Sequence, residues 1–100
     1  MERIENVQEY IDHSLAEKDI VVPEEFRPVF ENHVNVLSRR LENDECVNED
    51  PSELEKQLST DSIETSKEIL KPLFLQFGVE ENRSEIALFA LYINLAKGGM

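Results

Sequence analysis

The feature that most constrains the fold is a long apolar run near the C-terminal end of the sequence. Residues 86–96 read IALFALYINLA. Asn82 precedes the run and Glu85 follows Asn82 by three residues, a spacing typical of a cap at a helix N-terminus. A buried strand could carry the same run, but its length and this cap favour a helix. Because the helix would be apolar on almost every side, we predict that it is central and buried.

Two amphipathic helices are predicted in the first half of the chain. Apolar residues at helical spacing predict the first over residues 2–18, and Pro23 follows its end. The second begins near Pro23 or Glu24 and ends near Asp44, with Pro28 in its first turn, where a missing N–H costs least. Its predicted apolar stripe consists of Phe26, Val29, Phe30, His33, Leu37 and Leu41.

Two further helices are predicted between these and the apolar run. The start of a short third helix, which ends near Ser59, is indicated by a possible cap and capping box. These residues are Asp50, Pro51 and Glu53. The fourth begins with Thr60 or Asp61 as its cap and ends at Gly78. Because proline has no N–H, Pro72 predicts a kink or a break within it. Five helices with short connections predict an all-α fold, a compact five-helix bundle.

The charge balance bears on the partners that the chain can bind. One hundred residues predict a single domain over residues 1–100. Ten Lys and Arg against 22 Asp and Glu give a net charge of −12. Such a surface repels phosphate backbones and anionic lipids, so we expect no direct binding to nucleic acid or to membranes; simple solubility is the other interpretation of the charge. We find neither a signal peptide nor a membrane-spanning run, and expect a cytoplasmic protein.

The residue types needed for most reactions are missing. The glycines, Gly78, Gly98 and Gly99, form no phosphate-binding loop, and there is no Cys/His cluster for zinc. The single cysteine, Cys46, excludes an internal disulfide. It is predicted to be a small buried residue whose acidic neighbours raise its pKa. We therefore expect no enzymatic activity, no cofactor and no metal.

The two histidines have different predicted environments. Helical periodicity turns His13 away from the core, so it is interpreted as a surface residue. His33 lies in the apolar stripe between Phe30 and Leu37, which predicts a ring at a partly buried edge. It is either a structural histidine with one hydrogen bond or a neutral imidazole that accepts a phosphoryl group. Arg40, two helical turns further on, is either a bidentate phosphate ligand or an ordinary surface arginine.

Three segments resemble the PTS-regulation domain, or PRD, family. Residues 30–41, FENHVNVLSRRL, resemble the signature helix, in which a histidine is followed by an arginine about two turns later. Residues 48–55 resemble the Asn-Pro-Leu segment that opens the third helix of the family. Residues 85–93 are similar to its closing helix, which usually reads EIGFIALHI. The resemblance covers residues from about 7 to 97, which we take as the core of a PRD-like domain.

The resemblance implies a five-helix bundle that pairs as a homodimer and regulates transcription in the sugar phosphotransferase system. The phosphocarrier HPr or an enzyme IIB would phosphorylate such a domain on histidine. The resemblance makes His33 the phosphoacceptor, and Arg40 and Arg39 the residues that contact the phosphate. Tyr92 stands at the position of the second family histidine. The sequence shows no RNA-binding or helix-turn-helix segment, so we expect any regulation to act through dimerisation or a separate partner protein. A degenerate domain that serves as a dimerisation or scaffold module, without phosphorylation, is the alternative.

Overall fold

The chain folds into helices joined by short loops. The computed structural model describes residues 4–46 and 49–98, and no strand occurs in these ranges. The helices are α1 (Val7–Glu17), a 3₁₀ turn (Glu24–Phe26), α2 (Arg27–Asn43), α3 (Ser52–Glu55), α4 (Thr60–Phe77) and α5 (Arg83–Ala96). The predicted start at Glu2, Asn48 of the family-like segment and Gly99 lie outside the described residues. The all-α, five-helix prediction is confirmed.

Helix α5 is the central helix, as its apolar sequence predicts. Its residues 84–96 are all buried or half-buried, and α4 packs along it more extensively than any other pair of helices packs in the described chain. Phe89 of α5 is 0% exposed, and its ring centroid lies 5.9 Å from that of Phe30 in α2. The core is therefore built around α5, with α2 and α4 against it.

The inward face of α2 is displaced around the helix from the predicted stripe, because it includes Val34 and excludes Val29. Phe30 and Leu37 are fully buried, and so is Val34, but Val29 is 56% exposed. The prediction that Val29 belongs to the apolar stripe is therefore wrong. At 100° per residue, Val29 lies about 40° beyond His33 around the helix, outside the contact with the core. His33 is thus the last residue on this side of the stripe.

Helix α1 begins at Val7 and not in the first residues of the chain. The Asn6 side chain accepts a hydrogen bond from the Glu9 N–H at 3.0 Å and caps the helix. Before the cap, the Gln76 side chain accepts from the Ile4 N–H at 2.5 Å and donates to the Ile4 carbonyl at 2.8 Å. The backbone of Ile4 is paired in this way with the last turn of α4 without being helical.

Helix α3 is shorter than predicted. Asp50 accepts hydrogen bonds from the Ser52 N–H at 3.0 Å and from the Ser52 hydroxyl at 2.6 Å. This local turn uses the Asp50 carboxylate, so the predicted capping box with Glu53 does not form. Short polar side chains often bind nearby backbone N–H groups in local turns of this kind, in place of the hydrogen bonds of a helix cap. Helix α3 ends at Glu55, because the next N–H groups, of Gln57 and Leu58, bond to carbonyls three residues back at 3.0 and 3.2 Å. The prediction of an end near Ser59 is wrong.

The ends of α4 are set by Ser59 and Gly78. The Ser59 hydroxyl accepts from the Ser62 N–H at 3.1 Å, so Ser59 caps the helix and the prediction of Thr60 or Asp61 is wrong. Gly78 takes a left-handed conformation with φ of 67°, which confirms it as the residue that ends α4.

Helix α4 continues through Pro72, so the prediction of a break there is wrong. Proline removes one hydrogen bond from the helix and disfavours the preceding turn. The helix persists because buried apolar side chains lie on both sides of Pro72, and packing supplies most helical stability in proteins. These side chains are Ile69, Leu70, Leu73 and Phe74.

Replacement of the central phenylalanine should test the position of the core. We expect Phe89→Ala to lower the free energy of unfolding by about 3–5 kcal/mol, because it removes buried surface and leaves a cavity. Val21, which is 77% exposed, provides the control. Val21→Ala should change the free energy of unfolding by less than about 0.5 kcal/mol. Urea unfolding followed by circular dichroism measures both; equal losses would contradict the assigned core.

Candidate functional site

His33 lies at the edge of the core, on the side of α2 that faces α5. The residue is half-buried, and its Nε2 atom is buried with no hydrogen-bond partner among residues 4–46 and 49–98. Its ring centroid lies 5.3 Å from that of Tyr92, at an interplanar angle of 39°. The ring is thus partly accessible to solvent, as predicted, whereas one of its nitrogens is not.

Arg40 pairs with a buried carboxylate. Its Nε and Nη2 atoms each donate to one oxygen of Glu85 at 2.6 Å, a bidentate geometry. The Arg40 side chain is 20% exposed and that of Glu85 is 0% exposed. Because Arg40 lies in the last turn of α2 and Glu85 in the first turn of α5, the pair joins these two helices. Arg40 is therefore not an ordinary surface arginine.

The environment of His33 favours the neutral form of its imidazole. Burial lowers the pKa of His33, because it disfavours the charged form, and the positive charge of Arg40 lowers it further. The Glu85 carboxylate acts in the opposite direction on the pKa of His33, with a smaller effect. A neutral ring has a free lone pair on one nitrogen, which is the form that a nucleophile requires.

Tyr92 meets His33 across the contact between α5 and α2. Its ring also lies 5.4 Å from the ring of Phe30, and the residue is half-buried. The position of the second family histidine therefore adjoins the predicted phosphoacceptor. What stands there is an aromatic ring with a hydroxyl, and it packs against the imidazole.

Arg39 and His13 lie apart from this site. Arg39 is exposed, and six residues of helix turn it to a different side of α2 from His33. His13 has a side chain that is 75% exposed, and its Nε2 atom lies 2.7 Å from a Glu17 carboxylate oxygen. The prediction of a surface position for His13 is confirmed.

Cys46 lies close to the Arg40–Glu85 pair and packs partly against the core. Burial raises the pKa of its thiol, and the charges of Glu85 and Asp44 add to this, whereas Arg40 lowers it. The predicted direction of the shift is confirmed, although burial and not the adjacent acidic sequence is its main cause. A thiol in this setting is a poor nucleophile.

The described residues contain no group of three or more His, Cys, Asp or Glu that could hold a metal ion. None of the helices described is both long enough and apolar enough to cross a bilayer.

Comparison with protein families gives one decisive match. The family model described as PRD domain matches residues 2–96. The chain belongs to the PRD family. PRD domains are regulatory modules of the sugar phosphotransferase system and not catalytic domains. Neither the curated proteins nor the solved structures include a significant match to this chain.

The PRD resemblance did not single out Glu85 as a residue of the site. Glu85 is the first residue of the family-like run 85–93 and part of the predicted helix cap, and Asn82 does accept a hydrogen bond from the Glu85 N–H at 2.9 Å. Its carboxylate nevertheless turns towards Arg40, 45 residues earlier in the chain. A signal for this was available, because an acidic residue directly before a buried apolar run needs a cationic partner if it is itself buried.

The Arg40–Glu85 pair should contribute strongly to stability. We expect Arg40→Ala to lower the free energy of unfolding by about 3–5 kcal/mol, because it leaves a buried carboxylate without its cation. Arg83→Ala is the matched control. Arg83 pairs with Glu55 at 2.6 Å but is 62% exposed, so its removal should cost far less stability than the removal of Arg40. Equal losses in urea unfolding would show that the Arg40–Glu85 pair is not buried in solution.

The lowered pKa of His33 predicts a dependence of stability on pH. Below about pH 6.5 a histidine in the unfolded chain binds a proton, whereas His33 in the fold stays neutral until its lower pKa is reached. Stability should therefore be lost as the pH falls below about 6.5. His33→Gln should lose less stability over this range, with His13 present in both proteins. Urea unfolding of both proteins between about pH 7 and pH 5.5 measures the difference, in a range above the titration of most carboxylates. Equal losses of stability in the wild-type domain and in His33→Gln would contradict the prediction.

Proposed function

We propose that this PRD domain is a cytoplasmic, non-enzymatic regulatory module that HPr or an enzyme IIB phosphorylates on His33. It acts through dimerisation or a separate effector protein in the control of transcription. The observation that carries the proposal is a half-buried imidazole on the side of α2 that also carries Arg40 two helical turns later, with a pKa lowered by burial and by the charge of Arg40. The net charge of −12 supports a protein partner over nucleic acid.

With HPr as the donor, the proposed step is a phosphoryl transfer between two histidines. The unprotonated ring nitrogen of His33 forms a bond to phosphorus, and the phosphorus–nitrogen bond of the donor histidine breaks. The electron pair of the broken bond stays with the donor imidazole. Because Nε2 of His33 is buried, we expect Nδ1 to be the accepting nitrogen, with the ring proton on Nε2.

Phosphorylation would change the charge of the site sharply. A phosphoryl group adds a charge of about −1.5 to −2, if phosphohistidine behaves as other phosphorylated side chains do. It would be introduced close to Arg40 and to the buried carboxylate of Glu85, where α2 meets α5. A charge change between two packed helices can bias how the domain binds its partners.

Labelling with a phosphotransfer system tests the proposal. With phosphoenolpyruvate, enzyme I and HPr, the domain should acquire one acid-labile phosphate, and His33→Ala should abolish it. His13→Ala serves as the control and should leave labelling unchanged, because His13 lies apart from the site. Absence of label from the wild-type domain, with HPr and with an enzyme IIB, or label that persists in His33→Ala, would refute the assignment.

A second candidate function is that of a degenerate PRD domain, which dimerises or acts as a scaffold without phosphorylation. Two observations favour it: the buried Nε2 of His33 and the tyrosine at position 92. In this case the domain forms a dimer whose stability and partner binding do not respond to His33 substitutions. Sedimentation of the wild-type domain and of His33→Ala shows whether the dimer responds to the substitution. A monomeric wild-type domain would argue against both candidate functions.

A further inference from the structure

The family resemblance assigns Arg40 to a phosphate, but in the structure Arg40 is already paired with Glu85. Arginine has five N–H donors. Two of those of Arg40, one on Nε and one on Nη2, bind Glu85. This leaves three donors, on Nη1 and Nη2, that have no partner among residues 4–46 and 49–98. The two donors in use lie along one edge of the planar guanidinium group, and the remaining three lie along the other edges.

Glu85 could affect a phosphoryl group on His33 in two opposite ways. If it competed with the phosphate for Arg40, phosphorylation would have to break the pair. Breaking it would leave a carboxylate that is 0% exposed without its cation, which is strongly unfavourable. If Arg40 bridged the two groups, the pair would persist and the free donors would face the phosphate. The complete burial of Glu85 favours the bridging arrangement.

We infer that Glu85 is a positioning residue for phosphate binding at His33. It holds Arg40 through one edge of the guanidinium group, and a phosphoryl oxygen on His33 accepts from the donors that remain. The Arg40–Glu85 pair stays intact after phosphorylation, and the cation lies between the two negative groups. This inference rests on the proposed phosphorylation of His33 and adds to it a residue from α5, 45 positions further along the chain than Arg40.

The equilibrium of phosphoryl transfer distinguishes positioning from competition. Phosphorylated HPr is mixed with the domain, and the fractions of both phosphoproteins are measured after transfer is complete. We expect Glu85→Gln to lower the equilibrium constant for transfer to His33 by about tenfold, as residues that orient metal ligands do for metal affinity. Glu55→Gln, which removes the carboxylate of the other arginine pair, should leave it unchanged. An equilibrium constant that is unchanged or raised in Glu85→Gln overturns the inference.

A second measurement uses only the wild-type domain, in case Glu85→Gln does not fold. The ¹⁵N NMR signal of the Arg40 Nε–H, assigned through its loss in Arg40→Lys, is followed before and after phosphorylation. Slow hydrogen exchange in both states supports a pair that persists, and rapid exchange after phosphorylation overturns the inference. If wild-type His33 accepts no phosphate, even from the small donor phosphoramidate, the proposed function fails and the inference fails with it. A labelled wild-type domain with a broken pair overturns the inference alone.

Discussion

The bidentate pair between Arg40 and Glu85 is the constraint on which the rest of the site depends. A carboxylate that is completely buried requires a cation beside it, so Glu85 fixes where the end of α2 lies against the start of α5. The same pair sets the electrostatic environment of His33, in which burial and Arg40 lower the pKa and Glu85 opposes them. A single ion pair thus joins two helices, and its two charges act in opposite directions on the pKa of His33, to which burial makes the largest contribution.

Much of the fold could be predicted because hydrophobic periodicity and proline and glycine positions dominate the helices. Because the apolar run of α5 covers almost every side of the helix, it can be buried only at the centre of a small bundle. The ends of helices are harder to predict. The side chains of Asn6, Asp50 and Ser59 could each accept a hydrogen bond from several nearby N–H groups, and the sequence does not show which one binds. The continuity of α4 at Pro72 could not be predicted from the neighbouring residues of the sequence, since it depends on buried side chains that other helices cover.

The spacing of residues along the chain predicts the site only where its residues share a helix. A spacing of seven residues places His33 and Arg40 on one side of α2, and the charge of Arg40 lowers the pKa of His33. The positions of Tyr92 and Glu85 beside them depend on how α5 packs against α2, which the spacing of residues along α2 does not encode. The family resemblance supplied Tyr92 but assigned no role to Glu85, whose sequence context is that of a helix cap.

The side chain of Gln76 shows that an amide and a carboxylate are not equivalent even in a chain this acidic. It pairs with both polar groups of Ile4, accepting from one and donating to the other, much as a neighbouring peptide unit would. A glutamate of the same size could only accept, and would bring a second oxygen against the Ile4 carbonyl. Among 22 acidic residues, the neutrality of position 76 therefore has a chemical cause, because the segment before α1 needs a donor there.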